Sequence, residues 1–75
     1  MKIPNRKIVQ QIRHNYPTGC RVELSRMNDP YSNLESGELG TVQLLDDTGT
    51  IFVNWDNGSS LGVVYGVDQV RKLAP

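Results

Sequence analysis

The stretch LGTVQLLDDTGTIFVNW, Leu39 to Trp55, decides the fold of this chain. Two runs rich in aliphatic, β-branched and aromatic residues, Leu39–Leu45 and Thr50–Trp55, flank Asp46-Asp47-Thr48-Gly49. Those four residues bend a chain, because Asp bonds nearby backbone through its carboxylate and Gly accepts positive φ. In the second run Ile51, Val53 and Trp55 fall on one face and Phe52 and Asn54 on the other. That is the period-two pattern of a half-buried strand, so the stretch reads as an antiparallel hairpin.

Working outward, Asp56-Asn57-Gly58-Ser59-Ser60 follows, and its Asn57-Gly58 pair signals a two-residue type I′ turn with both residues at positive φ. It leads into a fourth strand, Leu61–Tyr65. A short turn of helix is expected over Gly66–Val70, before a last strand at Arg71–Leu73. Upstream, Cys20, Val22 and Leu24 alternate with Arg21, Glu23 and Ser25 as a first strand. Between Met27 and Gly37 the chain has turn chemistry at both ends and Leu34 as its one aliphatic, which marks a long loop. From Asn5 to Asn15, Ile8, Val9 and Ile12, continued by Tyr16, make an apolar stripe at helical spacing. Asn5 suits the N-cap, and Pro17 ends the helix by removing a donor. The pattern predicts a mainly β fold: a small SH3-like five-stranded barrel with one N-terminal amphipathic helix. A single domain is expected over residues 1–75, with the helix at 5–15 and the barrel at 19–74.

Seventy-five residues leave a thin core, since chains this short bury only about 60% of their unfolded surface. At 37% hydrophobic and 21% charged, the composition is globular, and seven glycines and four prolines suit short elements joined by tight turns. Cys20 has no partner, so no intramolecular disulfide and no all-cysteine zinc site can form. A reducing, cytoplasmic setting is expected. The first residues lack the apolar run of a signal peptide, and no stretch approaches the length of a membrane span, so no membrane association is expected.

The formal net charge is zero, yet the charges are sorted. Residues 1–26 carry Lys2, Arg6, Lys7, Arg13, Arg21 and Arg26 against the single acid Glu23. Residues 27–70 carry seven acids and no Lys or Arg. The plain reading is a basic helix against an acidic barrel; the sharper one is a charged face used for a partner or for self-association through the N-terminal helix.

Catalytic chemistry finds little support. His14 at the helix end and Cys20 on an inward-facing position specify no nucleophile and base, and Ser59-Ser60 lacks the surroundings of a nucleophile elbow. No enzyme activity, cofactor or metal is expected, because Asp46-Asp47 does not match a calcium loop and serves a turn instead. Binding is the better reading. Tyr31, Trp55 and Tyr65, with Asp29 and Glu35, are the residue types with which SH3 grooves grip a proline-rich peptide, although Trp55 also continues the inward Ile51 and Val53 face. A type I′ turn explains Asn57 and Gly58 but does not demand Asp56, Ser59 or Ser60. The expected ligand-binding set is therefore Tyr31 and Trp55 for apolar contact, Asp56, Asn57, Ser59 and Ser60 for directed hydrogen bonds, and Arg21 and Arg26 for an anionic group. Nucleic acid is the alternative partner, reached through Arg6, Lys7 and Arg13 of the helix.

Taken in order, the motifs resemble one family. Tyr16-Pro17-Thr18-Gly19-Cys20-Arg21-Val22-Glu23-Leu24, Met27-Asn28-Asp29-Pro30-Tyr31, Gly37 with Gly40-Thr41-Val42, Asp46-Asp47 with Gly49-Thr50-Ile51, and Trp55-Asp56-Asn57-Gly58-Ser59-Ser60-Leu61 with Gly66-Val67-Asp68 are similar to the domain-of-unknown-function family numbered four-three-one-four. The resemblance covers roughly residues 16–73 and leaves the helix outside it. It implies a setting in Firmicutes, their phages and mobile elements, and no defined activity. Cys20 stands where threonine is usual in the family. In a phage setting a small non-enzymatic barrel would act by occupying a host protein surface or a small nucleotide-like ligand, an anti-defence role that needs no catalytic group.

Overall fold

The computed structural model describes residues 5–28 and 34–73. One helix, α1 (Arg6–Asn15), precedes five strands: β1 (Arg21–Arg26), β2 (Leu39–Leu45), β3 (Ile51–Trp55), β4 (Gly62–Val63) and β5 (Gln69–Lys72). All pair antiparallel in one sheet of order β4-β3-β2-β1-β5. This is the SH3-like meander, in which the last strand returns to the first. The pairing stops short of a closed ring, because β4 and β5 form the two edges and leave a seam between them.

The helix begins as the sequence indicates. Asn5 Oδ1 accepts the Ile8 amide at 2.9 Å, satisfying one orphan donor of the first turn. At the other end the Tyr16 amide donates to the Ile12 carbonyl and Pro17 follows. The stripe faces this chain's own sheet: Val9 is buried, and Ile12 and Tyr16 pack half-buried against the core.

That core is the inner face of the sheet. Val22, Leu24, Val42, Val53 and Trp55 are each no more than 3% exposed, and Leu34 from the long loop packs with them. The loop is drawn back by backbone bonds between Leu24 and both Gly37 and Glu38, each at 2.8 Å, and by the Asn28 amide donating to Asp68 Oδ1 at 2.8 Å. Register shifts between Leu24 and Arg26 and between Val42 and Leu44 bend the two central strands, as bulges do.

Four local expectations need correction. The turn at Trp55–Ser59 is not type I′: Gly58 has φ 94° but Asn57 is not at positive φ. Gly58 N donates to the Trp55 carbonyl at 3.0 Å and Trp55 N to the Ser59 carbonyl at 2.9 Å, so three residues form the loop and glycine takes the bulge position. The fourth strand is shorter than Leu61–Tyr65, because both backbone groups of Val64 are taken by the next turn. Val64 N donates to Asp68 Oδ2 at 3.0 Å, and its carbonyl accepts from Val67 and Asp68. In place of the expected turn of helix over Gly66–Val70 the chain makes a hydrogen-bonded, non-helical turn over Val64–Asp68 with Gly66 at φ 79°, and the last strand spans Gln69–Lys72 rather than Arg71–Leu73.

Candidate functional site

Residues of the expected binding set come together on the outer face of the sheet. Arg21 stands opposite Thr41, and Thr41 opposite Asn54, so one polar row crosses β1, β2 and β3. The Arg21 guanidinium donates Nη1 to Asp56 Oδ1 at 2.8 Å and Nη2 to Oδ2 at 2.6 Å, and Nη1 also reaches Thr41 Oγ1 at 2.9 Å. Planar fork on planar carboxylate is the strongest geometry for such a pair. Hydrogen bonding from Arg21, helped by its charge, holds the Asp56 carboxyl below the usual carboxylate range.

The neighbouring polar groups are occupied too. Asn57 Oδ1 accepts the Ser59 amide at 2.9 Å and the Ser59 hydroxyl at 2.8 Å, and Ser60 Oγ lies 3.4 Å from Asn54 Oδ1. Asp56 and Ser59, which a bare turn does not require, are thus tied into the hairpin end. Trp55 lies on the opposite, inner face: it is 3% exposed, and its Nε1 donates to the Leu61 carbonyl at 3.1 Å. A buried indole offers no stacking surface. Arg26 is exposed at the far end of β1, away from this cluster, and Tyr31 lies outside the described residues.

A second place has the shape of a site. The seam between β4 and β5 opens into a cleft of about 440 Å³. One wall is Ile51 and Val63, the other Val70 and Gln69; Ile12 of α1 and Tyr16 at its C-cap roof it, and Tyr65 and Asp68 close one end. Tyr65 is 43% exposed. Asp68 is the only charged side chain among the described lining residues, and its two oxygens are engaged by the Asn28 and Val64 amides. Tyr16 OH donates to the Val70 carbonyl at 3.4 Å, long for a hydroxyl donor. The sequence signal for this cleft is thin, because its lining comes from the helix and its C-cap, β1, the β2–β3 turn, β3, β4, the β4–β5 turn and β5. Only Tyr65 stands out beforehand, as an aromatic of the SH3-groove type.

The family described as a domain of unknown function (DUF4314) matches residues 5–73. The chain belongs to this family. The DUF4314 match takes in α1 as well as the sheet, which corrects the expectation that the helix lies outside the resembling part. The roof and the walls of the cleft therefore fall within one DUF4314 domain. Neither a curated protein nor a solved structure matches the chain.

Among the described residues no group of three or more His, Cys, Asp or Glu could hold a metal ion, and no helix is long and apolar enough to cross a membrane. Cys20 is half-buried, and burial pushes its thiol up, partly offset by the charge of Lys72. A thiol shifted in that direction is a poorer nucleophile at neutral pH.

Proposed function

We propose that this DUF4314 domain is a non-catalytic binding module that takes an extended segment of a partner protein in the seam cleft. The observation that carries the reading is the cleft itself: a groove walled mainly by Ile51, Val63 and Val70, with a half-exposed tyrosine at its end, bounded by an edge strand. Leu73 N donates to the Arg21 carbonyl, which sets the phase of the β1–β5 ladder and turns the backbone groups of Val70 and Lys72 away from β1. An extended peptide pairs with such an edge through its own backbone, while its side chains enter alternate pockets. Tyr16 OH holds the Val70 carbonyl only weakly, so an incoming amide can replace it.

Charge separates this occupant from a nucleotide. A phosphate-bearing ligand needs a cation, and the described lining supplies none. Arg21 is already committed to Asp56. A host protein surface is therefore the better partner, in keeping with the phage setting that the family resemblance implies and with an anti-defence role there.

The test is selection from a random dodecapeptide library on the immobilised domain, with Tyr65→Ala as counter-selection. Enriched peptides should bind wild type at least about tenfold more tightly than the variant, a difference of roughly 1.4 kcal/mol. Their amide shift changes should centre on Tyr65, Gly66, Gln69 and Val70. Absence of enrichment, or shifts centred on Asp56–Ser60, would overturn the reading. A rise of several degrees in melting temperature with mono- or cyclic nucleotides would transfer it to a small ligand.

A further inference from the structure

A second surface is independent of the cleft. The helix sequence RKIVQQIRHN contains no carboxylate, and its first turn carries Arg6 and Lys7 with no acid to answer the helix dipole. Cations at that end are unfavourable for the helix itself, so this choice of residues is not explained by helix stability. With Val9 turned to the core, Arg6, Lys7, Gln10, Gln11, Arg13 and His14 are all exposed. Gln10 borders two depressions of about 520 and 510 Å³, one lined also by Arg6, Val9, Arg13 and Asp47 and the other by Lys7, Gln11, His14 and Asn15.

Among the described residues, Asp56 of the body is paired with Arg21 and Glu23 with Arg71, and the acid that comes within reach of this face is Asp47. Arg13 has one distant contact, Asp47 at 3.9 Å, while Arg6 and Lys7 make no ion pair among the described residues. The neutral chain thus carries a positive face with amide donors between the charges.

We propose that the outer face of α1 is a docking surface for the phosphate backbone of double-helical nucleic acid. Fixed cations spaced along a helix of about 15 Å, interleaved with glutamine, fit a phosphate row, and they read charge and shape rather than sequence. Single strands are gripped by stacking on aromatic rings, and the exposed face of α1 has none. An anionic bilayer would need an apolar helix face to insert, and that face is turned to the core of the domain.

The experiment is fluorescence anisotropy of the full chain with a labelled mixed-sequence duplex of about two helical turns, at salt from about 25 to 200 mM. Three cations predict a slope of log K against log salt of about −2.7, or roughly a 40-fold loss between 50 and 200 mM. The triple variant Arg6→Gln, Lys7→Gln, Arg13→Gln should lose binding more than about tenfold with no drop in melting temperature, whereas Arg26→Gln with Lys72→Gln should bind as wild type does. A single strand of the same length, polyglutamate and phosphatidylserine vesicles should each compete or bind more weakly than the duplex. No complex at the lowest salt, full binding by the triple variant, or tighter binding of any of those three probes would overturn the proposal.

Discussion

A Cβ built on Gly40 would stand 2.5 Å from Val53 Cγ1, 2.9 Å from Trp55 Cε3 and 3.0 Å from the Asn54 carbonyl oxygen. The indole of Trp55 lies over this glycine, its cross-strand partner, and that close approach is what lets so large a ring be 3% exposed in so thin a core. Neither Val53 nor the Asn54 backbone can withdraw, since both belong to the central ladder. Gly40→Ala is therefore expected to lower the unfolding free energy by about 1–3 kcal/mol, the usual cost of overpacking. Denaturant titration followed by Trp55 fluorescence measures it. Gly58→Ala is the comparison, because that Cβ meets nothing within 4 Å and the only penalty is φ at 94°. It should cost about 1 kcal/mol, so equal losses at the two positions would contradict the packing account.

At the scale of elements, each long hairpin end is secured by a carboxylate. Asp46 Oδ1 accepts the Thr48 hydroxyl at 2.6 Å and the Thr48 and Thr50 amides at 2.9 and 3.0 Å, and these bonds, the Thr48 hydroxyl first, hold its carboxyl below the usual range. Asp56 is held down by Arg21 in the same sense. A carboxyl whose folded pKa lies below its unfolded one stabilises the fold above the unfolded value, near 4, and loses that contribution as pH falls through the folded value. Thermal melts from about pH 6 to pH 2 should show the wild type losing stability in the lower half of that range, with Asp46→Asn and Asp56→Asn each flattening the loss. If both variants keep the wild-type acid limb, these carboxylates do not couple to folding. The hairpins themselves were legible: Asp46–Gly49 bends the chain where its residue types predict, and Asn5 and Pro17 bound the helix as expected. The type of the second turn was not, because Asn-Gly serves a two-residue loop and a three-residue loop with a bulge equally well, and only the phase of the ladder chooses. The early end of the fourth strand was hidden for a related reason, since Asp68 reaches back four residues to take the Val64 amide. Trp55 could be read as core or contact from period two alone, and the space above Gly40 decides for core.

For the whole molecule the decisive feature is that the sheet stays open and the helix covers the opening. A seam between β4 and β5 cannot be read from sequence, because each strand looks complete alone and the cleft exists only once the helix, the strands and two turns meet. Among the described residues the attachment of α1 and its C-cap is light: one buried side chain, Val9, half-buried Ile12 and Tyr16, one hydroxyl bond at 3.4 Å, and an ion contact at 3.9 Å. A helix this short is marginal alone in water, so once those contacts open it melts. The strands, by contrast, share the fully buried Val22, Leu24, Val42 and Val53 and open together. Native-state hydrogen exchange should therefore find the α1 amides exchanging through a smaller opening, below the free energy of global unfolding reported by the amides of β1, β2 and β3. Val9→Ala should lower protection in α1 more than in β2. Equal exchange free energies in α1 and the central strands would show instead that the helix is part of one cooperative unit. The distinction bears on binding, because Ile12 and Tyr16 form the roof of the cleft while Arg6, Lys7 and Arg13 stand on the other side of the same helix. A helix that lifts at modest cost would admit a strand beneath it, and a polyanion holding the outer face would shift that equilibrium by its differential affinity for the docked and lifted states.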